Sequence, residues 1–364
     1  MRAAVLREAP GELGIEDVAV DRPGSREVLI RTVAAGLCHS DLHFIDAAYP
    51  TKLPAVLGHE SAGVVEAVGD EVTYVRPGDH VITCLAVYCG ACEHCLTGRQ
   101  AICQNKVATR RPREATPRLG SSDAPMHQFL DLSSFAEMML VHEHAVVKIR
   151  DDMPLDRAAL LGCGVTTGVG AVWNTAEVEP GTTVAVIGCG GIGLNCVQAA
   201  RLAGATRVIA VDLLDEKLEL ATTFGATDLV NAGAVDPVVA VRELTGGGVD
   251  HSFEAIGLKV ATEQAWRMLG PGGTATVVGM IPVGTKIELH GPDFLNERRI
   301  QGSAMGSTRF RVDMVRYVDL YLDGRLKLDE LVSARIGLDA INDGFAKLRK
   351  GSVARSVITF DSRA

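Results

Sequence analysis

The sequence predicts an α/β protein in which a doubly wound parallel sheet is inserted into a discontinuous, β-rich domain. From Thr166 onward, β-branched runs alternate with amphipathic segments, as in parallel strands joined by helical crossovers. The preceding region instead contains short runs separated by Gly and Pro turns, which is typical of an antiparallel barrel. A final β-branched run closes the chain at residues 356–360. The expected domains are therefore residues 1–164 plus 306–364, and residues 165–305.

The β-rich half begins with short strands that alternate apolar and polar residues between turn signals. The expected strands lie within residues 1–8, 13–20, 27–36, 56–82 and 134–147. Residues 104–125 are polar and rich in Pro and Arg and show no period, so they predict a long surface loop. The basic run at residues 110–113 is interpreted as a solvated part of that loop.

The inserted half contains six strand-like runs that suit a parallel sheet, separated by segments with helical periodicity. Strands are expected at residues 183–187, 207–211, 228–230, 251–255, 274–279 and 299–304. Helices are expected at residues 191–203, 215–224, 237–244 and 260–269, followed by two more at residues 312–323 and 341–350.

Composition excludes several classes of protein. The 364 residues carry a net charge of −9 and no large basic face, which argues against nucleic acid as a main partner. The N-terminus lacks a signal-peptide pattern and no apolar run is long enough to span a membrane, so the expected location is cytoplasmic. The chain has nine cysteines, some of them clustered, and in such a chain clustered thiols indicate metal binding or chemistry rather than a disulfide scaffold.

Residues 182–212 predict a dinucleotide-binding strand–turn–helix–strand unit. Its glycines allow a tight turn, close approach of backbone N–H groups to a pyrophosphate, and close packing of helix on strand. Asp212 ends the second strand, where a carboxylate accepts the adenosine-ribose hydroxyls and repels a 2′-phosphate. The pattern therefore favours NAD over NADP. The glycines concerned are Gly188, Gly190, Gly191 and Gly193.

Four cysteines within 15 residues predict a structural metal site. Closely spaced thiolates on tight turns can converge on one tetrahedral zinc ion, and four of them leave no open position. Iron–sulfur ligation is the alternative, although nothing else in the chain suggests electron transfer. His94 lies among the cysteines and is interpreted as a bystander. The proposed ligands are Cys89, Cys92, Cys95 and Cys103.

A second metal site is predicted from Cys38, His59 and Cys163. Two thiolates and one imidazole leave a fourth position for water or substrate, which is the pattern of a catalytic zinc. Taken singly, Cys163 is more simply a buried thiol and His59 a hydrogen-bonded core histidine. The combination with a dinucleotide motif favours the metal interpretation.

The chain resembles the zinc-dependent medium-chain alcohol dehydrogenases over nearly its whole length, most closely the liver-type branch. The motifs that carry the resemblance are GLCHSDLH, GHESAGVVEAVG, CGACEHC, LLGCGVTTGVGA, GCGGIG and ARSVITF. The resemblance implies a GroES-like catalytic domain around an inserted Rossmann domain, with NAD and two zinc ions per chain. It also implies a small alcohol or aldehyde as substrate and a homodimer, with a tetramer as the alternative.

The resemblance also implies roles for individual residues. Asp41 would hydrogen-bond to His59, and Glu60 would lie behind the catalytic zinc. Ser40 would take the proton of the alcohol and pass it through the nicotinamide ribose to His43. The dinucleotide would further contact four residues outside the glycines and Asp212, namely His39, Ile192, Lys217 and Arg355.

At two positions this chain departs from the family that it resembles, and both changes affect which substrates would fit. Leu85 stands where liver-type relatives often have an aromatic ring, and Ser40 is smaller than the commoner Thr. The loss of bulk predicts primary alcohols that are bulky, long or aromatic, in a pocket lined by Tyr49, Leu85, Leu130, Met280 and Met305. Secondary alcohols or polyols, a glutathione-linked substrate and a non-enzymatic zinc protein are the alternatives.

Overall fold

The computed structural model describes residues 1–120, 125–351 and 354–360. Its strands, numbered β1 to β19 in chain order, are Arg2–Leu6, Leu13–Asp17, Ala19–Val20, Glu27–Gly36, Ala55–Val56, Ser61–Val68, His80–Thr83, Leu119–Gly120, His127–Gln128, Met138–His142, Val146–Lys148, Thr183–Ile187, Arg207–Asp212, Asp228–Asn231, Val249–Glu254, Leu269–Val277, Arg299–Gly302, Val332–Ile336 and Arg355–Thr359.

The α-helices, numbered α1 to α10 in chain order, are His39–Ile45, Glu93–Leu96, Leu155–Leu160, Thr166–Gly170, Gly191–Leu202, Asp215–Thr223, Pro237–Thr245, Lys259–Arg267, Phe310–Leu322 and Ile341–Arg349. Two π-helical turns, Leu161–Val165 and Ala171–Thr175, flank α4. Among the described residues, no helix has both the length and the apolar character needed to cross a membrane.

The chain divides into two compact units. The first comprises Met1–Gly164 and Arg309–Ala364, and the second comprises Val165–Thr308. The second boundary falls at Thr308 rather than at residue 305, because the turn Met305–Ser307 packs on α4. A Cβ on Gly170 would lie only 2.3 Å from the carbonyl oxygen of Gly306, so no bulkier residue fits at this contact.

The first unit is built on two main sheets that are mostly antiparallel, with the parallel pairs β18–β19 and β5–β9. The larger one has the order β11-β7-β6-β4-β19-β18, with β10 also paired to β4, and the smaller has the order β2-β1-β5-β9. Strand β19 pairs antiparallel with β4, with Val357 opposite Gly36. The carboxyl-terminal segment therefore returns to the middle of this sheet, which makes the unit discontinuous in sequence.

The second unit is a six-stranded parallel sheet in the order β14-β13-β12-β15-β16-β17. Its central strand β12 is almost completely buried because helices cover a parallel sheet on both faces. Local signals fix the helices: α7 begins after Asp236, whose carboxylate accepts hydrogen bonds from Val238 N and Val239 N at 2.8 and 3.2 Å. It ends at Thr245, and the following Gly246 caps it with a φ of +67°, which suits glycine.

The basic run at residues 110–113 is not simply a solvated loop, which corrects the prediction. The Arg111 side chain is only 16% exposed and donates to Asp21 and Glu27 at 2.6 Å each. Arg118 donates to the other oxygen of Glu27 at 2.6 Å. Ion pairs between residues about 90 positions apart therefore hold this segment against the start of β4 and the residues before it. Because the partners are so far apart in sequence, no local pattern indicates these contacts.

Two further segments differ in detail from the sequence-based expectation. Residues 134–147 form two strands, β10 and β11, because the short turn Glu143–Ala145 interrupts them. The expected loop at residues 104–125 contains the helical turn Lys106–Thr109 and strand β8. Residues 121–124 of this loop lie outside the described residues.

Candidate active site

Three buried side chains from distant parts of the first unit converge on one point. Cys38 follows β4 and precedes α1, His59 follows β5, and Cys163 lies in the π-helical turn Leu161–Val165. Their exposed fractions are 1%, 0% and 4%. Their ligand atoms all lie within 4.8 Å of one another. The three predicted ligands of the catalytic metal are therefore brought together.

The environment of His59 fits a metal ion. Its Nδ1 donates to Asp41 Oδ1 at 3.0 Å, and both side chains are fully buried. Its Nε2 is buried and has no hydrogen-bond partner among the described residues. A buried nitrogen without a partner is costly, and the Asp41 contact directs its lone pair into the cluster. Two sulfurs and one nitrogen are ligands that zinc prefers.

The thiols and the charges behind them are electrostatically coupled. The pKa of Cys38 lies well below its usual value, because Cys163 hydrogen-bonds to it and the Arg355 guanidinium attracts the thiolate. Arg355 Nη2 lies 3.8 Å from Cys38 Sγ, and its Nε lies 3.6 Å from Glu60 Oε1. Burial raises the pKa of Glu60 to about 7, against the attraction of Arg355.

The π-helical turn that carries Cys163 is held by close contacts on both sides. A Cβ on Gly162 would lie 2.8 Å from the Thr83 carbonyl oxygen, and one on Gly164 would lie 2.5 Å from Arg355 Nη2. Such turns add one residue to a helix and are frequent at functional sites. The sequence predicted a ligand here but gave no sign of this turn.

The four other cysteines also converge. Their Sγ atoms lie within 4.8 Å of one another, with Cys92 at 3.4 Å from Cys95 and 3.8 Å from Cys103. Four sulfurs at about 2.3 Å from one zinc ion would lie about 3.8 Å apart in a tetrahedron, so the set fits. Backbone N–H groups of Cys95 and Gln104 lower the pKa of Cys92 to about 6, which favours the thiolate. His94 is outside the group.

Helix α1 presents the side chains that the sequence assigned to proton transfer. Asp41 accepts a hydrogen bond from Cys38 N at 3.3 Å, which caps the helix at the metal ligand. Ser40 and His43 are both partly exposed and, three residues apart, share one face of the helix. The His43 ring lies 5.7 Å from that of Tyr49. His39 is exposed at the start of the helix.

The glycine-rich turn of the second unit has the geometry of a phosphate cradle. Gly188 directly follows β12 and has a φ of +95°. A Cβ on Gly190 would meet no atom within 4 Å, so the backbone there is open to a ligand. A Cβ on Gly193 would lie 1.7 Å from the Gly188 carbonyl oxygen, which only glycine allows. Gly191 and Ile192 form the first turn of α5, whose free N–H groups favour an anion.

Asp212 lies at the end of β13, directly beside this turn. Its Oδ2 accepts from Cys189 N at 2.8 Å, and its Oδ1 accepts from Leu213 N at 2.8 Å. The backbone therefore fixes the orientation of the carboxylate. Lys217 lies in α6, close enough to act electrostatically on Cys189.

The residues predicted to line a substrate pocket are divided between the two units, with Tyr49, Leu85 and Leu130 in the first and Met280 and Met305 in the second. Leu85 packs against the core cluster that contains Val87 and Leu132. Leu130 packs against a different cluster, which contains Phe129. In the second unit, Met280 and Met305 are partly buried, and the Met305 sulfur lies 3.4 Å from Thr167 Oγ1.

One buried acid was missed by the sequence-based analysis. Glu254 ends β15 and is fully buried, and its Oε1 accepts hydrogen bonds from three successive backbone N–H groups. The available signal was an acidic residue at the end of a predicted strand, immediately before a glycine-containing loop.

Comparisons with known proteins agree with this arrangement. Residues 24–151 match the family model of the alcohol dehydrogenase GroES-like domain, and residues 191–320 match that of zinc-binding dehydrogenases. An alcohol dehydrogenase class-3 of Oryza sativa subsp. japonica is 38% identical over 99% of this chain and 97% of its own length. The S-(hydroxymethyl)glutathione dehydrogenase of Paracoccus denitrificans is 38% identical, with 99% of both chains covered.

A solved structure supports the same relationship. The benzyl alcohol dehydrogenase from Acinetobacter calcoaceticus superimposes with a TM-score of 0.94 at 35% identity, and 99% of each chain is covered. The similarity therefore extends over both units.

Proposed function

Because this chain belongs to the zinc-dependent medium-chain alcohol dehydrogenase family, we propose that it oxidises bulky or aromatic primary alcohols to aldehydes, with NAD as hydride acceptor. Family membership confirms the predicted fold class, enzyme class and need for zinc and a nicotinamide dinucleotide. The buried Cys38, His59 and Cys163, with the unpartnered His59 Nε2, are the observation that carries the proposal. The reaction removes one hydride from the carbinol carbon and one proton from the hydroxyl.

The residues around the catalytic site would bind the metal, orient its ligands and offset their charge. Cys38, His59 and Cys163 would bind zinc, which supplies a Lewis acid that lowers the pKa of an alcohol. Asp41 fixes the ring of His59 and keeps the proton on Nδ1. The buried Arg355 guanidinium offsets the negative charge of the two thiolates and of Glu60. This chain of contacts orients the ligands before substrate binds.

Ser40 and His43 provide a route for the proton. The Ser40 hydroxyl accepts the proton of the alcohol, and His43 receives it nearer to solvent. Their shared helix face and partial exposure support this role. The route lets the proton leave without opening the site to bulk water.

The second unit supplies binding and orientation of the dinucleotide. The open backbone at Gly190 and the N-terminus of α5 suit the pyrophosphate, and Asp212 suits the two hydroxyls of the adenosine ribose. A fixed carboxylate repels a 2′-phosphate, which supports NAD over NADP. The roles of His39, Lys217 and Arg355 toward the phosphates or ribose stay predictions.

The substrate class rests on Leu85 and Ser40. A leucine in place of an aromatic ring, and a serine in place of threonine, leave more room for a ring or branched chain. The relationship to a benzyl alcohol dehydrogenase supports this choice. Secondary alcohols and polyols are the competing substrates within the same family.

A glutathione adduct of formaldehyde is the second candidate substrate. Lys52, Arg110, Arg111 and Arg118 line a cavity of about 250 Å³ in the first unit, and two relatives are class-3 or glutathione-linked enzymes. However, the three arginines are already paired with Asp131, Glu27 or Asp21. Only Lys52 makes no ion pair within the described ranges, so the cavity offers one uncommitted cation to a carboxylate.

A substrate panel tests the proposal. We expect kcat/KM with NAD to be highest for benzyl alcohol, compared with ethanol, cyclohexanol, sorbitol and S-hydroxymethylglutathione. Leu85→Phe should lower the value for benzyl alcohol more than that for ethanol. Leu96→Phe is the matched control, since Leu96 is 74% exposed. Turnover confined to ethanol and other very short alcohols would contradict the proposal.

We further propose a homodimer formed at the edge strand β17. This strand pairs only with β16 among the described strands, and the nearby Phe294 and Leu295 are 48% and 88% exposed. An open sheet edge presents unpaired backbone N–H and C=O groups, which invite pairing with a second chain. Sedimentation should give twice the chain mass, and a monomer at micromolar concentration would contradict it.

A further inference from the structure

We propose that Glu254 is a positioning residue for the dinucleotide, because its carboxylate fixes residues 255–258 against the glycine-rich turn. The inference rests on dinucleotide binding but not on the identity of the alcohol. It concerns only residues of the second unit, and nothing in the motifs above assigned a role to this acid.

The carboxylate of Glu254 holds three consecutive backbone N–H groups. Its Oε1 accepts from Ile256 N at 2.9 Å, from Gly257 N at 2.6 Å and from Leu258 N at 3.4 Å. The residue is fully buried, and its Oε2 has no partner within the described part of the chain. A buried charge held by successive N–H groups defines the path of the loop that supplies them.

That loop lies where a doubly wound sheet binds its ligand. The sheet order places β12 between β13 and β15, so the order in which successive strands are added reverses between β12 and β15, and a ligand crevice is expected at the carboxyl ends of these two strands. A Cβ on Gly188 would lie 2.5 Å from Ile256 Cγ1, which shows that the loop touches the first glycine of the turn. Ile256 nevertheless stays 45% exposed, so it presents an apolar wall beside the phosphate cradle.

The opposite side of the loop is equally confined. Val278 N and Gly279 N donate to the main-chain oxygen of Glu254 at 2.9 and 3.1 Å. Gly257 has a φ of +94°, and a Cβ there would lie 2.5 Å from the Met280 carbonyl oxygen. If the carboxylate contacts are lost, the loop can relax only toward the glycine turn and the crevice beside it. On the other side of the glycine-rich turn, the Asp212 carboxylate fixes the backbone in the same way by accepting a hydrogen bond from Cys189 N.

Two substitutions of Glu254 separate hydrogen-bond reach from charge. Glu254→Gln keeps an oxygen acceptor at the same reach but removes the charge. Glu254→Asp keeps the charge but withdraws the oxygens by about 1.5 Å. We expect the NADH dissociation constant, measured by fluorescence titration, to rise about tenfold in Glu254→Asp, which is about 1.4 kcal/mol. It should stay within about threefold of wild type in Glu254→Gln.

The controls distinguish positioning from general damage. Glu243→Asp and Glu243→Gln change an exposed glutamate and should leave NADH binding unchanged. Zinc content and melting temperature should remain close to wild type in Glu254→Asp, although NADH binding is weaker. If Glu254 had only a structural role, weaker NADH binding would be accompanied by a lower melting temperature. Wild-type affinity in Glu254→Asp, or equal weakening in Glu254→Gln, would overturn the proposal.

Gly257→Ala gives an independent test even where Glu254→Asp does not fold. It leaves the acid intact but forces the same loop away from Met280. We expect NADH binding to weaken by about tenfold here as well. Unchanged affinity would show that the position of the loop does not control the nucleotide site. If wild-type protein itself binds no NADH, the function proposed above fails rather than the role of Glu254.

Discussion

Two alanine substitutions in the glycine-rich turn should have separable effects. Gly193 faces the Gly188 carbonyl oxygen, and a Cβ there would lie 1.7 Å from it, whereas a Cβ on Gly190 would meet no atom within 4 Å. An ordinary carbon–oxygen contact is about 3.3 Å, so Gly193→Ala must move helix α5 from β12 by about 1.5 Å. The first change should damage folding, and the second should damage only ligand binding.

The magnitudes follow from the packing. Overpacking costs about 1–3 kcal/mol, and a clash with backbone belongs at the upper end. About 3 kcal/mol corresponds to a loss of about 6–12 °C in melting temperature for a domain of this size. Gly190 has a φ of −82°, which alanine adopts freely. Alanine at this position lowers the conformational entropy of the unfolded chain, which stabilises the fold by about 0.4–1 kcal/mol. Alanine is also a poorer N-cap than glycine, which costs a similar free energy, so the free energy of unfolding should barely change.

Thermal unfolding and NADH titration check both expectations. Gly190→Ala should melt within about 2 °C of wild type but bind NADH at least about tenfold more weakly, because the methyl group occupies the approach of the pyrophosphate and costs a charge-assisted hydrogen bond. Gly193→Ala should melt early with or without ligand. Wild-type NADH affinity in Gly190→Ala, or wild-type stability in Gly193→Ala, would refute the assignment of these two glycines.

Three further outcomes are expected. Asp41→Ala should weaken zinc at the catalytic site about 10–100-fold, so that dialysis against a chelator leaves one zinc per chain instead of two; retention of both would contradict the role of Asp41. Asp212→Gly should raise the ratio of kcat/KM for NADP to that for NAD, and an unchanged ratio would show that another group selects the cofactor. Burial raises the pKa of Glu27, but hydrogen bonds from Arg111, Gly24 and Arg118 outweigh it and leave the pKa below 4.5. Its stabilisation is therefore present above about pH 4.5 and is lost as the pH falls through the lowered pKa, so Glu27→Gln should be destabilised at pH 7 and not at pH 2 in denaturant titrations; a difference independent of pH would contradict this.

The features predictable from sequence were those with short-range or chemically specific signals. The strand–helix alternation gave the parallel sheet, and the expected helix at residues 237–244 lies within one residue of α7 because Asp236, Pro237 and Gly246 mark its ends. Thiols spaced by two residues indicate a metal site from the sequence alone. The roles of Ser40, His43 and the pocket residues stay predictions, because each role is defined by contacts to a bound alcohol or dinucleotide.

The remaining features depend on contacts between distant positions. Glu27 contacts Arg111 and Arg118 only in the folded chain. In the sequence alone, the basic run therefore resembles an ordinary exposed loop. The role of Glu254 depends on which strand lies beside β12, and periodicity does not report strand order. Side-chain identity alone therefore indicated the ligands of the metal sites, but not the ion pairs and hydrogen bonds between residues distant in sequence.

The π-helical turn Leu161–Val165 makes the catalytic metal site sensitive to the number of residues as well as to their identity. A single-residue deletion in this turn would restore a regular helix and preserve its composition almost unchanged. Each residue of an α-helix rotates the following side chains by about 100°, so Cys163 would then face away from Cys38 and His59. Insertions and deletions here should thus be far less tolerated than substitutions, and an aligned cysteine in a relative is equivalent only when the residue count of this turn is also preserved.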